Sequence, residues 1–130
     1  MKPIRFEDGS RIAVTGGRDF SDESLVNWAF REIGLGHGDV LVHGACRGAD
    51  ELCAKVAQFY GAYVEPHPAD WKKYGKAAGP VRNREMLKSD IDMLIAFPGG
   101  RGTFNAVMTA HSLGVPVWDL RGMDEANQEG

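Results

Sequence analysis

The chain is predicted to fold as an α/β domain of three layers, with helices on both faces of a mainly parallel sheet of about five strands. Three observations predict this. Short uncharged runs such as Met93–Phe97 alternate with stretches whose apolar residues recur at helical spacing, the pattern expected when crossover helices cover both faces of a parallel sheet. Glycine turns stand at the strand-to-helix junctions, at Gly16–Gly17, Gly44–Gly48 and Gly99–Gly102. Finally, 130 residues with 43% hydrophobic side chains supply one ordinary core and leave no room for a second domain.

Residues 1–10 are polar apart from Ile4 and Phe6 and read as a lead-in, either a loose segment or a short edge strand. Arg11–Thr15 forms the first strand and Gly16 and Gly17 its turn. Ser21 or Asp22 then caps a helix that places Leu25, Val26, Ala29, Phe30 and Ile33 on one face, and Gly34 and Gly36 stop it. Val40–Val42 is the second strand, His43–Gly48 its turn, and Ala49 starts a helix with Leu52, Cys53, Val56, Ala57 and Tyr60 inward; Gly61 closes it. A third strand, Ala62–Val64, runs into Pro66 and Pro68, where proline ends the ladder.

Residues 67–79 read as a long connection carrying Trp71 and Tyr74, of the kind that forms lids and binding loops. Pro80, at a first helical position, starts a short helix with Met86 and Leu87 inward. Met93–Phe97 is the next strand, ended by Pro98. Thr103 caps or begins a helix through Phe104, Val107, Met108 and His111 that Gly114 ends, and Val115–Trp118 completes the sheet. The whole reads as a Rossmann-like domain over residues 11–120, with a polar tail at 121–130 that is expected to fray.

Composition narrows the function. A net charge of −3 argues against a protein that grips nucleic acid by a general basic surface. Cys46 and Cys53 lack metal-ligand spacing and the four histidines are scattered, so reduced thiols and no metal centre are expected. There is no apolar run near the roughly 20 residues that span a bilayer, and MKPIRFEDGS has no signal-peptide core. The expectation is a cytoplasmic protein without a membrane partner.

Loops after the carboxyl ends of parallel strands share one edge, so the glycine turns are expected to meet. Each carries an arginine, namely Arg18, Arg47 and Arg101, and guanidinium holds phosphate by paired hydrogen bonds. Gly16, Gly17, Gly44, Gly48, Gly99, Gly100 and Gly102 leave backbone N–H groups open to an anion, and Thr103 opens a helix whose positive end favours one. The expected ligand is a nucleotide or a nucleotide-derived phosphate, with no further cofactor required. Neither GxGxxG after the first strand nor GxxxxGK[ST] occurs, so an ordinary dinucleotide dehydrogenase and a P-loop NTPase are not supported.

Other residues have assignable roles. Asp50 either accepts hydrogen bonds from ribose hydroxyls or caps its own helix. With Glu51, it is the available acid for an N-glycosidase. Arg82 and Asn83 are assigned to the ligand and Arg84 to the surface; Trp71 or Tyr74 is expected to lie over the base. Asp19 makes a second polar contact or ties Arg18. Cys46 has no identifiable partnering base, and His43 reads as a strand-end packing residue.

The combination VTGGRDF, LVHGACRGADELCAKVA, HPADWKKYGKAAGPVRNREML and IAFPGGRGTFNAV resembles the SLOG superfamily, in particular its small YspA/YpsA-related members, over residues 11 to about 120. The resemblance implies a Rossmann-like domain that binds nucleotides or relatives of NAD and ADP-ribose. LOG phosphoribohydrolases share the pattern PGGxGTxxE, which Pro98, Gly99, Gly100, Gly102 and Thr103 match. Ala106 stands at the glutamate, which disfavours LOG-type cleavage. DprA proteins share a segment similar to HGACRGAD, but their flanking domains and a basic surface are missing, so single-stranded DNA is the third reading. The residues leave open the base, the number of phosphates and the oligomeric state, a homo-oligomer included.

Overall fold

The computed structural model describes residues 9–123. Its elements are β1 (Arg11–Thr15), α1 (Glu23–Ile33), β2 (Val40–His43), α2 (Ala49–Phe59), β3 (Tyr63–Pro66), α3 (Trp71–Tyr74), a 3-10 turn (Gly75–Ala77), α4 (Ala78–Leu87), β4 (Met93–Ala96), α5 (Arg101–Leu113) and β5 (Val117–Asp119). The strands form one sheet in the order β3-β2-β1-β4-β5, with every neighbouring pair parallel. This is the expected Rossmann-like three-layer α/β fold. The expectations for residues 1–8 and 124–130 fall outside the described residues.

Strand alternation divides the core in two. Ile12 and Val14 of β1, Leu41 of β2, and Met93 and Ile95 of β4 pack with Val26, Ala29 and Phe30 of α1 and Cys53, Val56 and Ala57 of α2. Ala13, Val42, Leu94 and Ala96 point to the other face, against Met86 and Leu87 of α4 and Ala106, Val107 and Ala110 of α5. Small side chains on both sides of this second layer let α5 approach the sheet closely. β1 and β4 lie at the centre and are apolar, whereas the edge strands expose Tyr63 and Asp119.

The helix ends follow the sequence at most junctions. Asp22 caps α1 by accepting the Leu25 N–H at 3.1 Å, and Gly34 closes it in the left-handed region. Other boundaries differ. α5 begins at Arg101 with Gly100 at its N-cap position, so Thr103 is its third residue and neither caps nor begins it. The connection 67–79 is largely helical: Asp70 accepts the Lys73 N–H at 3.0 Å and starts α3, and α4 begins at Ala78. Pro80 is therefore the third residue of α4, still within the first turn, where a missing N–H breaks no helical bond. β3 runs on through Pro66 because Tyr63 and His67 donate to the carbonyls of Asp39 and His43 along the neighbouring β2 segment; alternation turns the Pro66 nitrogen to the open edge. β5 begins two residues later than expected, at Val117.

Candidate functional site

The strand order turns outward in opposite directions from β1 and β4. In open parallel sheets this switch point, at the carboxyl ends of the strands, forms a crevice. Here a cavity of about 530 Å³ opens there, within the size range of small-molecule sites.

Backbone bonds tie the three glycine loops together. The Gly17 N–H donates to the Pro98 carbonyl at 2.8 Å, and the Ala49 N–H donates to the Gly17 carbonyl at 3.0 Å. Gly48 has φ +80°, and a Cβ there would overlap the carbonyl oxygens of Gly17 and Arg18. Gly48 and Gly99 thus serve loop packing behind the wall. Gly16, Gly17, Gly44, Gly100 and Gly102 line the cavity.

The start of α5 has an open polar character. No side chain caps it, and open space stands where Gly100 and Gly102 would carry a Cβ. Thr103 is 2% exposed and lines the cavity, and its Oγ1 has no hydrogen-bond partner among the described residues. Such orphaned hydroxyls are rare because each leaves a desolvated group unpaid.

The arginines separate. Arg18 and Arg101 are exposed on the wall. Arg47 lies off it, paired at 3.6 Å with Asp19, so the aspartate expected beside Arg18 serves Arg47 instead. Arg82 lines the cavity but spends its donors on protein: the Gly44 carbonyl, His67 O at 3.3 Å, Asn83 Oδ1 at 2.9 Å and Cys46 Sγ at 3.8 Å. Asn83 Nδ2 donates to Gly102 O at 3.3 Å and Asn105 Oδ1 at 3.0 Å, which fixes α4 against the start of α5. Both residues assigned to the ligand from sequence therefore shape the wall first. Arg84 is exposed, as expected.

Asp50 lines the cavity and is 6% exposed, with Oδ2 accepting the N–H groups of Gly44 and Cys46 at 3.2 Å each. Burial pushes its carboxyl up from 3.8 to about 6, against the lowering pull of those two N–H groups and of Arg82. Glu51 is exposed and off the wall. His43 is buried, its Nδ1 accepts the Ala45 N–H at 2.9 Å, and burial with His67 and Arg82 nearby lowers its pKa, which fits a packing residue. Cys46 lines the cavity; Cys53 is sealed in the core, where burial raises its thiol pKa.

Trp71, 51% exposed on α3, forms part of the opposite wall, but Tyr74 does not; Lys73 sits over the Tyr74 ring at 5.0 Å. Sequence reasoning missed Lys76 and Asn105. Asn105 follows Arg101 by one helical turn and shares its face, a signal present in the sequence. Lys76 was hidden in a stretch read as irregular. Ala106 is fully buried in the core. Among the described residues no cluster of metal-ligating side chains occurs, and no helix is long and apolar enough to cross a membrane.

The chain is 37% identical over 117 residues to the Gene 61 protein of Mycobacterium phage D29, covering 82% of this chain and 93% of that one. The X-ray structure of TM1055 superposes with a TM-score of 0.62 at 18% identity, over 83% of this chain and 72% of that one, a likeness of fold. The C-terminal domain of PF1911 hydrogenase from Pyrococcus furiosus gives 0.48 at 21% identity, over 90% and 95% of the two chains. A family model described as "YspA, cpYpsA-related SLOG family" matches residues 10–74, which hold β1, β2, β3 and two of the three glycine loops. On that match and the phage relative, the chain belongs to the YspA, cpYpsA-related SLOG family.

Proposed function

We propose that the cavity binds a nucleotide or nucleotide-derived phosphate, either a mononucleotide or an NAD- or ADP-ribose-like molecule, and that the protein acts as a binding or sensing module. The observation that carries this reading is the buried, partnerless Thr103 hydroxyl at an uncapped helix start, beside Arg18 and Arg101. The first-turn amides of α5 favour negative charge, the hydroxyl donates to it, and the two guanidinium groups neutralise it. Trp71 on the facing wall offers a ring for the base to stack on. Family membership supports a nucleotide-related role.

Ala106 weighs against LOG-type cleavage. The position at which that pattern carries its glutamate is packed in the core, and a methyl group transfers no proton. A second reading, N-glycosidic cleavage, has one observation in its favour: Asp50, held near 6 on the cavity wall, is an acid suited to neutral pH. Native mass spectrometry of the purified protein, followed by calorimetry with the nucleoside monophosphates, ADP-ribose and NAD, tests binding. Chromatography of the same mixtures for free base separates the two readings. Preferential binding of single-stranded DNA with no affinity for any nucleotide would overturn both.

A further inference from the structure

Asp50 has hydrogen-bonding capacity that the protein does not use. Oδ2 accepts two N–H groups, whereas no protein donor among the described residues reaches Oδ1, which keeps its open surface on the cavity side of an otherwise buried residue. In the free protein this oxygen is left to water, and a bound molecule that fills the cavity displaces that water and must supply a donor in its place, since a bare acceptor is costly to desolvate. Arg82, the neighbouring cation, is committed to Gly44, His67, Asn83 and Cys46. A ligand seated in the cavity therefore meets Oδ1 as an open acceptor that calls for a donor.

The sheet indicates which donor. α5 follows β4, Asp50 follows β2, and Trp71 follows β3; in the order β3-β2-β1-β4 the carboxyl therefore stands between the phosphate end and the aromatic wall. Adjacent strands are about 4.8 Å apart, so the span from β4 to β3 is about 14 Å, on the scale of one nucleotide lying across the edge. The part of a nucleotide between phosphate and base is the sugar. We infer that Asp50 Oδ1 accepts a ribose hydroxyl, so that the site selects ribonucleotides over deoxyribonucleotides. This rests on the nucleotide reading above and deepens it.

Calorimetry on the full chain with AMP, GMP, CMP and UMP and their 2′-deoxy and 3′-deoxy counterparts tests the inference. For the bases that bind, loss of at least one hydroxyl is expected to weaken binding about tenfold or more. Asp50→Asn is the informative variant. Its amide oxygen can still accept the Gly44 and Cys46 N–H groups, while its Nδ2 turns a donor to the cavity. The variant is expected to cut the ribo-over-deoxy preference about threefold or more, because Nδ2 can still donate to a hydroxyl oxygen but the charge-assisted bond to a carboxylate is lost; an undiminished preference overturns the inference. Equal affinity of the wild type for ribo, 2′-deoxy and 3′-deoxy forms overturns the inference and leaves nucleotide binding intact. A loss seen on removing a base amino group, in IMP against AMP, with no effect of the hydroxyls, also overturns it. Absence of binding by every nucleotide refutes the underlying reading itself. If Asp50→Asn fails to fold, the wild-type ligand series decides alone.

Discussion

Asp50→Asn is expected to stabilise the protein at neutral pH. The native carboxyl titrates near 6 instead of 3.8 because burial opposes its charge. At 1.36 kcal/mol per pKa unit, ionising it in the fold costs about 3 kcal/mol more than in the unfolded chain. The sign follows from proton binding. Between about 4 and 6 the native state holds the proton that the unfolded state has lost, so this group's contribution is fully present below 3.8 and disappears as pH rises through 6. Asparagine does not titrate and keeps an acceptor for Gly44 and Cys46. The variant should therefore match the wild type within about 1 kcal/mol near pH 4 and exceed it by about 1–3 kcal/mol at pH 7.5. Urea unfolding of both proteins between pH 4 and 8 measures the difference, in which groups common to both cancel. A difference that stays flat across that range, or grows toward acid, would refute the claim that Asp50 is a strained buried carboxylate.

Thr103→Val should raise thermal stability by about 1 kcal/mol, because it removes a buried hydroxyl without a partner, while weakening nucleotide binding measured by calorimetry. Coupled loss of both properties would show that the hydroxyl has a protein partner. Arg101→Ala should weaken binding by about 1.5–3 kcal/mol, whereas Arg47→Ala, off the cavity wall, should leave affinity within error. Equal effects of the two would place the anion elsewhere. Gly48→Ala should destabilise by about 2 kcal/mol or more in denaturant melts, since φ is +80° and the new Cβ meets two carbonyls; wild-type stability would mean the loop relaxes. Trp71→Phe should abolish most of the fluorescence change on nucleotide binding, although Trp28 and Trp118 supply a background.

The fold was legible because its signals are local. Uncharged β4 and the helical spacing in α1 each identify an element without reference to the rest of the chain. α3 escaped because four residues, all of them unburied, leave no periodic apolar stripe to read. At the site, loop identity was readable but side-chain direction was not. Arg18, Arg47 and Arg101 look alike beside their glycines, and only the fold shows that Asp19 draws Arg47 away. Arg82 and Asn83, assigned to the ligand from sequence, line the cavity, and their donors go to protein groups that include the Gly44 and Gly102 carbonyls, contacts 38 and 19 residues distant in sequence. Sequence places Thr103 as the cap or first residue of a helix that in fact starts two residues earlier, at Arg101, and the burial that makes its hydroxyl informative belongs to packing.

The backbone bonds joining Gly17 to Pro98 and Ala49 to Gly17 divide the cavity into halves of unequal stiffness. On the glycine side, loops from three strands brace one another on the central sheet, so the phosphate of the proposed ligand would meet amides already in place and little chain entropy would be surrendered there. The opposite wall is built on α3 and the 3-10 turn, where no residue from Trp71 to Ala77 is buried. Ordering on ligand uptake must fall on that side. Hydrogen exchange should accordingly slow between residues 71 and 77 when nucleotide binds and change little at Gly17, and the discrimination among bases would then be set by how much of that softer wall each one immobilises.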